Sequence, residues 1–346
     1  MRKFRLAVLE GDGIGPEVIQ EGLRVLRAAE AKFDLHFECT YAAIGAGEFL
    51  RGGNPLPSTA LDLCAECDAI LLGAAGLPNI RWPDGREMAP QIDLREHFHL
   101  YAGVRPIRLY HSSHSPLKNH AAGEIDFVMF RESTEGLFAS RHRAADLNAN
   151  EATDTLRITR ATSEKLFRAA FEEARRRRGL VTLVDKANVL PSMAYFRHIF
   201  DEISREFPDV RTERVYVDAM ALYLVQSPQR FDVLVTENMF GDILSDLAAG
   251  IVGGMGMAPS ADIGAKHAVF QPAHGSAPDI TGRGTANPVA TIRSVALMLD
   301  WLGASEAGQA IRMSVETVLR NPENATPDLR GTLTTQQLGE MIAAAV

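Results

Sequence analysis

The sequence is short of cysteine, of long apolar runs and of positive charge. Three cysteines in 346 residues, an odd number, argue against a disulfide framework of the kind that staples secreted domains. No apolar stretch approaches the roughly 20 residues that span a bilayer, and MRKFRLAVLE leads straight into a strand pattern, so neither a membrane segment nor a secretory leader is expected. A net charge of −8 makes sequence-independent nucleic-acid binding a poor expectation, and an anionic substrate would need a local basic site. Internal repeats and low-complexity linkers are missing too, so composition marks no domain boundary. What remains is a cytoplasmic globular chain of about two domains.

Three features that suggest chemistry have plainer readings. Cys64-Ala-Glu-Cys67 falls where a helical segment meets the strand 68–72, and no second pair completes a zinc site; packing is the expectation. The basic run Arg175 to Arg178 closes an apolar-periodic segment just before Gly179, the position of a solvated helix end. His111, His114 and His120 lie in a Ser- and Pro-containing loop and read as surface residues.

Short apolar strands (68–72, 127–130, 181–184 and 231–235) alternate with amphipathic helical patterns, the mark of an α/β protein with a largely parallel sheet. The opening LAVLEGDGIGPEVI has the order strand, glycine turn, helix start that a dinucleotide fingerprint requires. Its spacing fails, because Pro16 stands where a small residue is needed and reads as the first turn of a helix. More informative is FDVLVTENMFGDILSDLAAGIVGGMGMAPSADIG, residues 231–264. A buried strand ends at Thr236, and a helix begins near Phe240, so the turn faces the crevice where α/β sheets bind ligands. Asp242 and Asp246 share one face of that helix. Asp242 is open to a helix-dipole role; Asp246, inside an otherwise apolar helix, would be costly unpaired, and two such oxygen ligands suit Mg²⁺ or Mn²⁺.

GDGIGPEV, LREHFHLYAGVRP (94–106), RESTEG (131–136), DKANVL (185–190), TENMFGDILSD (236–246) and HGSAPDITGRGTANP (274–288), in this order, resemble the β-decarboxylating hydroxyacid dehydrogenases. This isocitrate/isopropylmalate dehydrogenase family also includes homoisocitrate and tartrate enzymes. The resemblance covers nearly the whole chain. It implies a two-domain isopropylmalate dehydrogenase-like fold that is not a Rossmann fold, divided into residues 1–99 with 253–346 for the cofactor and 100–252 for substrate, metal and dimer contacts.

The resemblance also assigns residues. The loop 274–288 would hold the adenosine part of the cofactor through His274, Gly275, Ser276, Ala277, Asp279, Ile280 and Asn287, and GDGIGPEV becomes an active-site turn. Asp279 matches the residue that accepts the ribose hydroxyls of NAD; its charge would repel a 2′-phosphate, and Ile280 and Thr281 offer no compensating cation. Arg95, Arg105 and Arg131 match the arginines that hold the malate moiety. Lys186, in a proton relay, and Asp218, as third metal carboxylate beside Asp242 and Asp246, match residues that reach into a neighbouring subunit's site, which implies a homodimer. The implied reaction is oxidative decarboxylation with NAD and Mg²⁺ or Mn²⁺.

Two places depart from the pattern. The family's proton-donating tyrosine falls at Phe138, which has no proton to give, leaving water, Ser140 or His142 as substitutes. The segment that reads the C3 group is GREMAPQIDLR, with Gln91 and Ile92 where isopropylmalate enzymes place two leucines. 3-Isopropylmalate leads narrowly over malate, tartrate or homoisocitrate, and a catalytically weak regulatory subunit is the alternative outside catalysis.

Overall fold

The computed structural model describes residues 1–346. Ten strands, β1 (Arg2–Gly11), β2 (Leu35–Tyr41), β3 (Ala69–Ala74), β4 (Ala102–Arg108), β5 (Asp126–Glu132), β6 (Leu180–Asp185), β7 (Arg211–Tyr216), β8 (Val233–Thr236), β9 (Pro259–Ile263) and β10 (Ala268–Pro272), form one sheet. Its order is β2-β1-β3-β10-β9-β4-β5-β8-β6-β7. Strands β3 (AILLGA) and β8 (VLVT) are buried along their whole length, as strands covered on both faces should be.

Eleven helices cover the faces: α1 (Gly15–Phe33), α2 (Ala46–Gly52), α3 (Ser58–Glu66), α4 (Pro90–His97), α5 (Arg160–Arg176), α6 (Pro191–Ser204), α7 (Val217–Gln226), α8 (Asn238–Gly250), α9 (Val289–Trp301), α10 (Ser305–Leu319) and α11 (Thr335–Ala344). In α5 the buried residues Leu166, Phe167, Ala170, Phe171 and Ala174 recur at three- and four-residue spacing, so one stripe meets the core. Phe167 packs on Phe196 of α6 with ring centroids 4.6 Å apart. Thr159 caps the start of α5 by accepting from the backbone N–H of Thr162.

Both flanks of the sheet are parallel, as the alternation predicts. The centre is not: β9 runs antiparallel to β10 and β4, and β4 antiparallel to β5. The reversal separates this sheet from an all-parallel doubly wound one. Strands β1, β2, β3, β9 and β10 lie within 1–99 and 253–346, and β4 to β8 within 100–252, yet one continuous apolar core extends from Leu6 and Val8 to Val181 and Leu183 across that line.

Two plain readings need correction. His114 is buried rather than superficial, and burial pushes its pKa down to about 4, so its ring is neutral. The basic run is only partly a solvated end: Arg177 turns inward to pair with Asp126 at 2.6 Å and with the buried Asp232 at 2.9 Å. Cys64 behaves as expected of packing, since burial pushes its thiol up to about 12.

Candidate active site

The central reversal places charged residues from distant segments on one face. Gly103 of β4 stands opposite Arg131 of β5 and Asp262 of β9, so with the two-residue period of strands Arg105, Arg131 and Asp262 project to the same side. Arg95 comes in from α4. Asp262 is fully buried and accepts from Arg95 Nε at 3.0 Å, Arg105 Nη2 at 3.3 Å, Gln271 Nε2 at 2.8 Å and Ser133 Oγ at 3.3 Å. Burial alone would raise its pKa, but the fields of Arg95, Arg105 and Arg131 outweigh this and hold it at about 2. Asp262 was not singled out in the sequence. Its signal was one carboxylate in the apolar run PSADI, which is tolerable only with partners.

Arg131 reaches a different set. Its Nε and Nη2 donate to Asn238 Oδ1 at 2.9 and 2.7 Å, Nη1 pairs with Asp242, and the guanidinium lies 5.2 Å above the Phe138 ring. Asn238 is held in turn, its Nδ2 donating to the Glu135 carbonyl at 2.9 Å. Glu237 caps α8 by accepting from Phe240 and Met239 N–H groups, which fixes the helix that carries Asp242 and Asp246. Burial, followed by the neighbouring Asp242, raises the Asp246 pKa.

This donor set fits a divalent cation. Three arginines face three carboxylates, Asp262, Asp242 and Asp246, so the cluster is neutral as it stands. A divalent ion would make it dicationic, the complement of a dicarboxylate, and would relieve the repulsion between Asp242 and Asp246. Within one chain no three acidic or imidazole groups converge on a metal position. Asp218 is elsewhere, at the start of α7, bonded to Lys186 Nζ at 2.5 Å, with its side chain 66% exposed. Lys186 follows β6, two strands from Arg131.

The glycine turn and the loop 274–288 meet. Gly13 has φ +61°, and a Cβ there would sit 2.0 Å from the Ser276 carbonyl oxygen. Ile14 N–H donates to that same carbonyl at 2.9 Å, and Glu17 accepts from the N–H groups of Gly282 and Gly284. Ala277 and Ile280 pack beside Ile14, Val18 and Ala286. Asn287 is buried and bonds Asp328 at 3.0 Å; Gly275 and Asp279 are open to solvent. His274 Nε2 is buried without a protein partner, and burial lowers the ring's pKa, which leaves a neutral donor or acceptor of the kind a nucleobase edge engages. Arg283, the loop's one arginine, is exposed and unpaired.

Ile92 and Gln91 begin α4. Ile92 lines a cavity of about 630 Å³ with Trp82, Ala89, Leu137 and Phe138, while Gln91 Oε1 is buried without a partner. The cations around that cavity are already engaged: Arg86 by Asp84, Arg141 by Asp93 and Glu96, Arg143 by Asp154. His142 also pairs with Glu96 at 3.0 Å.

The mixed sheet with its central reversal and this cluster of arginines and carboxylates define a class of α/β protein that known relatives share. The isocitrate/isopropylmalate dehydrogenase family model matches residues 5–342. The 3-isopropylmalate dehydrogenase of Aquifex aeolicus is 41% identical, over 95% of this chain and 92% of its own. The 3-isopropylmalate/3-methylmalate dehydrogenase of Methanocaldococcus jannaschii is 42% identical, over 99% of this chain and 98% of its own. The crystal structure of isocitrate dehydrogenase from Methylococcus capsulatus superimposes with a TM-score of 0.89 at 36% identity, covering 100% of this chain and 99% of that one. The chain belongs to the isocitrate/isopropylmalate dehydrogenase family and is a decarboxylating dehydrogenase.

Proposed function

We propose that this chain oxidises and decarboxylates a 3-substituted malate, 3-isopropylmalate above others, with NAD and Mg²⁺ or Mn²⁺. The observation that carries the reading is the convergence of Arg95, Arg105 and Arg131 beside the carboxylate pair of α8, of which Asp246 has no partner in the chain. The arginines hold the two malate carboxylates, and Asp262 orients two of them by taking one edge of each guanidinium. Lys186 accepts the alcohol proton as the neutral amine, having lost its own proton to solvent once Asp218 has left it for the metal. A divalent ion held by Asp242, Asp246 and Asp218 would supply Lewis-acid polarisation, and NAD in the loop 274–288 would accept the hydride. Asp279 favours NAD by repelling a 2′-phosphate; Arg283 is the residue that could offset it.

The C3 cavity supports an alkyl group. Its apolar side is built by Trp82, Ala89, Ile92, Leu137 and Phe138, and its cations are spent on carboxylates of the protein. A third substrate carboxylate would find no unpaired arginine there. The test is turnover on a panel of 3-substituted malates with Mn²⁺ and either NAD or NADP. A preference for isocitrate, homoisocitrate, malate or tartrate overturns the substrate, equal use of NADP overturns the role of Asp279, and binding without turnover makes the chain a regulatory subunit.

The homodimer belongs to the same proposal. Leu222 and Val225 of α7 and Met239 and Ile243 of α8 are exposed apolar residues on packed helices, a surface that a second copy would cover. A second copy would also bring Asp218 to a site whose own chain leaves it distant. Residues 1–99 with 253–346 and residues 100–252 are the two bodies that close on substrate. Mixing inactive Lys186→Met chains with inactive Asp246→Asn chains restores activity when sites are shared between copies; no recovery after co-refolding overturns the sharing.

A further inference from the structure

A second cavity lies on the other face of the sheet. It has a volume of about 1000 Å³ and is walled by α5, α9 and α10 over β4, β5 and β9. Its floor residues Val104, Phe130 and Ala261 alternate along the strands with Arg105, Arg131 and Asp262, so this back cleft and the substrate site share three strands, one on each side. Charged groups line it, and nearly all are paired. Arg108 bonds Asp126 and Glu316, Arg177 bonds Asp126 and Asp232, and Arg312 bonds Asp300.

Arg293, on α9, is the exception. It is 6% exposed, its Nε and Nη1 are closed off from solvent, and no nitrogen of its guanidinium meets an acceptor in the protein. The Tyr110 ring lies 5.3 Å from the guanidinium carbon, and the Asp126 carboxylate favours the charge without a hydrogen bond, being taken already by Arg108 and Arg177. A buried guanidinium without a hydrogen-bonded counter-anion is costly, and the cavity in front of it offers the space for one. Leu297, Trp301 and Met313 give the remaining wall an apolar character.

We propose that the back cleft is a second ligand site, for a small organic carboxylate with an apolar tail, anchored by Arg293. The carboxylate takes the free guanidinium edge, and the tail lies against Leu297, Trp301 and Met313. Resting on the reading of the opposite face as the active site, the ligand acts as an effector. It fills the space between α5 of one body and α9 and α10 of the other, and so biases the hinge on which substrate closure depends.

The test uses hexanoate as probe and titration calorimetry on the intact protein, with no substrate and no turnover, so its failure leaves the assignment of the active site untouched. Hexanoate is expected to bind the unaltered protein and the Arg131→Lys variant alike. It should bind Arg293→Leu on the order of tenfold more weakly and Arg293→Lys in between, while 1-hexanol does not bind. Arg293→Leu should melt no lower than the parent, because it removes a buried charge without a hydrogen-bonded partner. No binding to the parent, equal binding to Arg293→Leu, loss of binding in Arg131→Lys instead, or a lowered melting temperature for Arg293→Leu each overturns the proposal.

Discussion

Two ionic assemblies serve the proposed site, and they are built on opposite principles. Around Asp262 everything is buried: one carboxylate at 0% exposure takes four donors contributed by four separate segments. At the rim, Lys186 and Asp218 make a single contact in which the aspartate remains mostly in solvent. The first assembly is complete within one chain and is a structural fixture whose removal unbalances the core. The second contributes little to folding, because solvent screens it, and its value lies in what it can reach. On the proposed reading, a site made of both has buried anchors for substrate charge and exposed groups for the proton and the metal.

The contrast breaks first, if it breaks, at Asp262. Asp262→Asn leaves Arg95 and Arg105 without their shared counter-charge and should lower unfolding stability by about 3–5 kcal/mol, measured in urea; a loss under about 1 kcal/mol would make the cluster dispensable. Because the folded pKa is held at about 2, below the ordinary 3.8, this carboxylate's contribution is fully present above the ordinary value. It is lost as pH falls towards 2, so the acid limb of the stability curve should flatten in the variant. Next comes Arg131→Lys, which abolishes the fork on Asn238 and Asp242. It should reduce kcat/KM by about a hundredfold, or about 2.7 kcal/mol, with the fold intact by circular dichroism.

A smaller effect is expected where the anchor meets the chemistry. If protonation at C3 limits turnover for want of a phenol, the parent should show a burst of NADH formation, and Phe138→Tyr should raise the steady-state rate severalfold. Absence of both would show that another donor has replaced the tyrosine. The smallest effect on stability belongs to Asp218→Asn: its urea midpoint should match the parent's while turnover and Mn²⁺ affinity fall. A clear shift of the midpoint would erase the distinction between fixture and rim.

How much of this could be read from the sequence follows from separation along the chain. Helix α8 with Asp242 and Asp246 was legible because strand, turn and helix are contiguous and the two carboxylates lie one turn apart. The arginines were legible through the resemblance of their segments to known ones. The keystone was not: Asp262 lies 167 positions from Arg95, and no local periodicity reports a pairing made only when the sheet reverses at β9. His114, Arg177 and Arg293 were misread or passed over for the same reason. A polar residue's burial is decided by elements far away in the chain, and composition makes it superficial by default.

The late arrival of β10 beside β3 has a consequence for synthesis. Strand β3 ends at residue 74, and its partner begins at residue 268. At roughly 5–20 residues per second, a ribosome leaves that apolar edge unpaired for about 10–40 s. Strands β5, β6, β7 and β8, by contrast, emerge and pair within one uninterrupted stretch. Nascent chains are therefore expected to carry a finished middle and an open, aggregation-prone beginning until their last third is made. The hydrogen bond from Ile14 N–H to the Ser276 carbonyl, which joins the first turn to the late loop, can form only once that interval has ended.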